Sequence, residues 1–175
     1  DLPAISLANK ICNEHGLDTI GTGATIAWTM ECFERGLVTE ADLGFRAPFG
    51  DAAAMVRLTE MIAARDGFGD VLANGSRRAA DLLGKGHEFL ITVKGAEAPA
   101  HMPQAKRSLG LIYAVNPFGA DHQSSEHDPM IEEGADDEDG SPGGGFEDVG
   151  VADRFARGRC LAAEQALQPR QQGSE

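Results

Sequence analysis

Apolar residues recur every three to four positions through most of the first 115 residues, the spacing of helices that turn one side to a core. Ile5, Ala8, Ile11 and Cys12 predict a helix over 4–15, and Gly16 stands where a left-handed C-terminal cap belongs. Asp18 or Thr19 then caps a second helix that runs to Arg35 and closes at Gly36, with Ile20, Ala24, Ala27, Trp28 and Cys32 along one side. Gly21 and Gly23 lie in its first turns, where each costs about 1 kcal/mol relative to Ala. Their presence predicts the close approach of another backbone or of a bulky ligand. Thr39-Glu40-Ala41-Asp42 has the form of a capping box opening a short turn. Asp51 caps a long helix over 52–65 that stops near Gly67, and Met55, Leu58, Met61 and Ile62 form its buried stripe. Two shorter helices follow over 70–73 and 77–83, the second capped by Ser76 and closed by Gly84 or Gly86. Phe89 to Val93 breaks the helical pattern, being short and β-branched, and predicts a single strand or a connecting arm. A last apolar helix over 104–115 ends ahead of Asn116 and Pro117. The predicted fold class is mainly α, multihelical, with at most one or two short strands.

Composition narrows the range of functions. The 175 residues, 42% apolar and 25% charged, suffice for one ordinary domain or two small ones. A net charge of −13 argues against nucleic acid and anionic membrane surfaces as partners. The excess is concentrated: Glu126 to Asp148 contains ten acidic residues and no Lys or Arg. With few apolar residues to bury, 128–150 predicts an acidic flexible loop or linker between a helical cofactor-binding region, 1–127, and a short helix with a polar tail, 151–175. No apolar run is long enough to span a membrane, and no basic-then-apolar leader opens the chain, so a soluble, cytoplasmic protein is expected. The opening at Asp1, directly into periodic sequence, predicts that the chain begins inside a longer protein or has been processed. Cys12, Cys32 and Cys160 form no CxxC pair, and the first two, on apolar helix faces, read as buried small hydrophobes.

Chemistry can be placed at three points. Asn13, Gly16, Leu17, Asp18 and Thr19 gather donors and acceptors where one helix ends and the next begins. The free N–H groups of such a junction can hold a polar ligand with anionic portions, while Asp18 accepts from ring N–H groups; the same pattern also describes an ordinary helix corner with an Asp cap. His122 lies in a loop beyond a Pro-terminated helix, where a proton donor can reach into a cleft. His122 and His127 with Glu126 or Asp128 could be read as metal ligands, but the spacing fits no zinc signature, and no metal ligand is assigned. Lys94, after the extended segment, is a candidate to bind a phosphate or carboxylate of a cofactor as a point charge.

Several longer words carry a family resemblance. Cys12-Asn13-Glu14-His15-Gly16-Leu17-Asp18-Thr19-Ile20 is followed by Thr25-Ile26-Ala27-Trp28-Thr29-Met30-Glu31-Cys32-Phe33-Glu34-Arg35-Gly36-Leu37. Gly67 to Gly75, Val93-Lys94-Gly95-Ala96-Glu97, Gly110 to Val115 and Gly119-Ala120-Asp121-His122 continue the series. In this order they resemble the tungsten-containing aldehyde ferredoxin oxidoreductases over roughly residues 1 to 128. The resemblance implies a piece of that family's two helical C-terminal domains, which fold against an N-terminal β domain and embrace a tungsten or molybdenum bis-pterin cofactor. The full enzymes also hold one [4Fe–4S] cluster. They oxidise an aldehyde to a carboxylic acid and pass electrons to ferredoxin. Carried onto this chain, the resemblance implies that Asn13, Gly16, Leu17 and Asp18 bind a pterin. His122 matches the family's active-site His, and Thr19, beside the pterin word, joins it as a catalytic candidate.

The departures qualify this reading. The family's CxxCxxxC cluster ligands and its downstream Asp-x-x-Gly-Leu-Cys word have no counterpart here, and Cys160 lacks the residues that would mark it as a ligand. Met102-Pro103-Gln104 stands where the family has Asp-Pro-Arg, leaving Lys106 or Arg107 to supply the missing charge. A fragment that holds no cofactor and turns nothing over alone is therefore expected. Its partners would be the missing β domain, ferredoxin and a small aldehyde, with a homodimer as one option for its assembly. The competing reading is a noncatalytic helical interaction module whose acidic loop binds a basic partner.

Overall fold

The computed structural model describes residues 1–101, 103 and 107–124. Within them run seven α-helices: α1 (Leu2–His15), α2 (Thr19–Glu34), α3 (Glu40–Leu43), α4 (Ala52–Ala64), α5 (Phe68–Leu72), α6 (Ser76–Leu83) and α7 (Arg107–Val115). A 3₁₀ turn (His87–Phe89) and a two-stranded antiparallel hairpin, β1 (Thr92–Val93) with β2 (Ala96–Glu97), lie between α6 and α7. The protein is mainly α, as the periodicity predicts.

Local chemistry sets most of the helix ends. Asp1, Asp18 and Asp51 each accept a backbone N–H from the first turn of α1, α2 and α4, the N-cap bond that such helices need. The Thr39/Asp42 capping box opens α3. At the end of α1, the N–H groups of Gly16 and Leu17 both reach the Cys12 carbonyl, with Gly16 in the left-handed region.

Packing departs from the simple stripes. α2 is the central element, touching α1, α4, α6, β2 and the 3₁₀ turn. Its second half is buried almost all round, including Thr25, Ile26, Trp28, Thr29, Met30 and Cys32, whereas Ile20, expected on the buried side, is exposed. Trp28 donates its indole N–H to the Gly86 carbonyl at 2.8 Å, which satisfies the ring's one polar group inside the core. Leu58 and Ile62 of α4 are fully covered, and Met55 and Met61 flank them half-buried. The α1 stripe is not covered throughout: Cys12 is buried, but Ile5 is 55% exposed.

Three further boundaries differ from expectation. The helix expected over 70–73 spans Phe68–Leu72. Ser76 is not the cap of α6 but its first residue, following Gly75. The extended segment is shorter than 89–93: Phe89 belongs to the 3₁₀ turn, and only Thr92–Val93 pairs as a strand. Residues 107–115 of the last helix are described, while 104–106 lie outside the described residues, as do the acidic stretch, Cys160 and His127. Among the described residues, no helix is long and apolar enough to cross a membrane.

Candidate functional site

The junction between α1 and α2 exposes Asn13, Gly16, Asp18 and Thr19, with Leu17 half-buried beneath them. Asp18 uses one carboxylate oxygen, Oδ2, to accept the Gly21 N–H and cap α2. Its other oxygen has no hydrogen-bond partner among the described residues. Asn13 donates its side-chain amide to Asn9 one turn earlier. Together with the first N–H groups of α2, the free oxygen offers an acceptor beside donors, a combination that suits a ring carrying both.

The two glycines of α2 have different surroundings. A Cβ on Gly21 would lie 2.9 Å from Asp18 Oδ2 and 3.6 Å from Glu97 Oε2, so it is the cap itself and the carboxylate of β2 that come close. Gly23 has nothing within 4 Å of that position, and the expected crowding does not exist there.

Glu97, the last residue of one of the family words and without an expected role, ties this region together. Its Oε1 accepts both the backbone N–H and the hydroxyl of Ser76, each at 2.8 Å, and so caps α6 from 21 residues away. The hairpin that carries it turns on Lys94 and Gly95, with φ of 54° and 86°. Two positive φ values in a two-residue loop are the mark of a type I′ turn, the form that matches strand twist. Lys94, expected to offer its charge to an anionic ligand, directs its ammonium to the carbonyls of Ala114 and Asn116 at 2.8 and 2.7 Å. There it neutralises the negative end of α7.

The same hairpin positions the loop that carries His122. At Gly119, φ is 87° and a Cβ would sit 2.0 Å from the Val93 carbonyl oxygen, so no side chain fits between loop and strand. Asn116 is buried: its Nδ2 donates to Ser124 Oγ at 2.8 Å and its Oδ1 accepts the Phe118 N–H at 2.9 Å. The Asp121 carboxylate accepts from the Ser124 hydroxyl and from the Gln123 N–H, and these bonds hold its pKa below the ordinary carboxylate range. His122 is half-buried, with its ring against that of His101 at 4.7 Å between centroids. The hairpin thus links the two predicted centres, touching Gly21 of α2 through Glu97 and Gly119 through Val93.

A polar cleft of about 640 Å³ opens between α6 and the hairpin, lined by Asn74, Arg77, Arg78, Thr92, Lys94 and Glu97 among others. Neither Asp18 nor His122 lines it. Cys12 and Cys32 are buried free thiols, and burial, with Glu88 and Glu31 nearby, pushes the Cys32 thiol up to about 12. A thiol held protonated in an apolar core is unsuited to an iron–sulfur cluster, whose ligands are thiolates. Among the described residues no group of three or more His, Cys, Asp or Glu converges as a metal site. The Asp18 junction offers hydrogen-bond donors and an acceptor rather than metal ligands.

The family described as "Aldehyde ferredoxin oxidoreductase, domains 2 & 3" matches residues 1–167. The tungsten-containing aldehyde ferredoxin oxidoreductase of Pyrococcus furiosus is 44% identical over 124 residues, which are 70% of this chain and 20% of that protein. The protein of the same name from Thermococcus kodakarensis matches with the same identity and coverage. An aliphatic sulfonate oxidoreductase, WOR-like subunit, from Pyrococcus furiosus is 34% identical over 122 residues, 66% of this chain and 20% of that subunit. The chain spans about a fifth of the length of the curated relatives it matches.

Proposed function

This chain belongs to the aldehyde ferredoxin oxidoreductase family, and from that membership we propose that it supplies the pterin-holding and proton-handling residues of an enzyme that oxidises an aldehyde to a carboxylic acid. In that reaction the substrate gains one oxygen from water and releases two electrons and two protons, the electrons leaving to ferredoxin. A tungsten or molybdenum bis-pterin, when bound, supplies the acceptance of those electrons.

The observation that carries the reading is the Asp18 carboxylate, exposed at a helix N-terminus with only one oxygen used by its own cap. Asn13, Gly16, Leu17 and Asp18 hold the pterin: the second Asp18 oxygen accepts from the pterin's ring N–H groups, and the N-terminal amides of α2 donate to its acceptors. Thr19, exposed at the first turn of α2, adds a hydroxyl next to the same ligand. Lys94, with two of its three donors on the end of α7, keeps one for an anionic group of the cofactor. His122 accepts or returns a proton at the substrate as the carbonyl becomes a carboxyl, a role that suits an imidazole, whose two ring nitrogens can donate and accept.

The test separates holding from chemistry. In the complete enzyme, Asp18→Ala is expected to lower bound pterin and metal. His122→Ala should keep both and lower kcat by about 10²–10⁴-fold, the usual yield of general acid–base catalysis. A His122→Ala enzyme that loses its cofactor would make His122 a binding residue and defeat the assignment.

A further inference from the structure

We propose that His101 is the positioning residue of His122: its imidazole packs on the His122 ring and sets the direction in which that ring presents its nitrogens. The inference rests on the proton-handling reading of His122 and names the group that orients it.

The backbone on either side of His122 is held by its neighbours. Asp121 accepts from Gln123 N–H at 2.9 Å and from the Ser124 hydroxyl. Asn116 grips that same hydroxyl at 2.8 Å, and Lys94 grips the Asn116 carbonyl at 2.7 Å. With the main chain so fixed, the freedom left to the His122 ring is rotation about its own two side-chain torsions. The His101 ring meets it at 4.7 Å between centroids, with 32° between planes, inside the range of a stabilising aromatic pair.

The orienting ring is itself anchored. The His101 carbonyl accepts from the Tyr113 hydroxyl at 3.1 Å, and Tyr113 is buried in the small core around α7. α7 therefore secures both members of the pair, His101 through Tyr113 and the His122 loop through Asn116, which immediately follows the helix. The His122 ring carries a further constraint. The Gln123 side-chain amide nitrogen lies 2.8 Å from His122 Nε2, a hydrogen bond that restricts the ring's rotation.

His101→Ala and His101→Phe separate orientation from proton transfer, because Phe keeps a flat ring but holds no proton. In the 175-residue chain, His101→Ala should move the carbon-bound His122 ring protons downfield in the NMR spectrum as the neighbouring ring current is lost, and Phe should keep them upfield. In the cofactor-loaded enzyme carrying this chain, kcat is expected to fall roughly 2- to 10-fold for Ala with KM unchanged, the scale of one aromatic pair, and to recover with Phe. His122 resonances indifferent to His101→Ala would overturn the proposal. So would a Phe variant as slow as the Ala variant, since His101 would then carry a proton of its own. Normal turnover in His122→Ala would instead remove the catalytic reading of His122, while the NMR result still decides whether His101 orients the ring.

Discussion

Between Ile26 and Ala80, thirteen buried side chains form one apolar cluster, whereas beyond Thr92 the second cluster contains, among the described residues, three: Leu109, Tyr113 and Ala120. The later segment is held together instead by polar links: Lys94 on the end of α7, Asn116 on Ser124 and Phe118, and Glu97 on Ser76. Burial is non-directional and tolerates small shifts in position, but hydrogen bonds fix distance and direction. The proposed pterin junction thus stands on the region held by burial. His122, whose proposed task depends on orientation, stands on the region held by directed bonds.

The largest test of this contrast is truncation of the apolar core. Leu58→Ala, at a fully buried position of α4, is expected to cost about 2–5 kcal/mol, read from denaturant unfolding. Leu109→Ala should fall toward the lower end of that range, since the smaller cluster seen around it among the described residues can collapse around the gap. Equal losses at both positions would break the contrast.

Alkaline titration probes the larger core through Cys32. Its folded pKa, about 12, lies above the unfolded value near 9, so the native state disfavours the thiolate. Stability is complete below pH 9 and should decline as pH rises from 9 to 12. Cys32→Ala should flatten that decline, and Cys32 should resist maleimide at pH 8 in the native state.

Asn116→Ala sharpens the polar side of the comparison. It removes the acceptor of the Phe118 N–H and the donor to Ser124 Oγ, whose own proton still goes to Asp121, for an expected cost of about 1 kcal/mol confined to the His122 loop. Amide exchange should quicken over 116–124 and stay unchanged in α2 and α4. The smallest effect is at acid pH. Asp121 has a folded pKa below its unfolded one, so its contribution is present above the unfolded value and is lost as pH falls through the folded value. The amide signals of Gln123 and Ser124 should shift in that acid window while those of Leu58 and Ile62 do not.

What could be read from the residues alone was governed by contacts within a few positions of the chain. Asp18 and Asp51 cap the helices that begin after them, and Gly16 and Gly84 end the helices before them, because donor and acceptor lie three to five residues apart. Mainly helical structure, buried cysteines and the family words follow from the same near-range order. Where a local signal failed, a distant partner had intervened: Ser76 reads as a cap but is a first helical residue, because Glu97 takes over the capping. Lys94 reads as a free charge but sits on α7, which follows it by more than ten residues. His101 carries no sequence signal of its own. Its place on His122 depends on how α7 docks against the hairpin, and a docking angle is a property of packed surfaces, which no short window of residues contains.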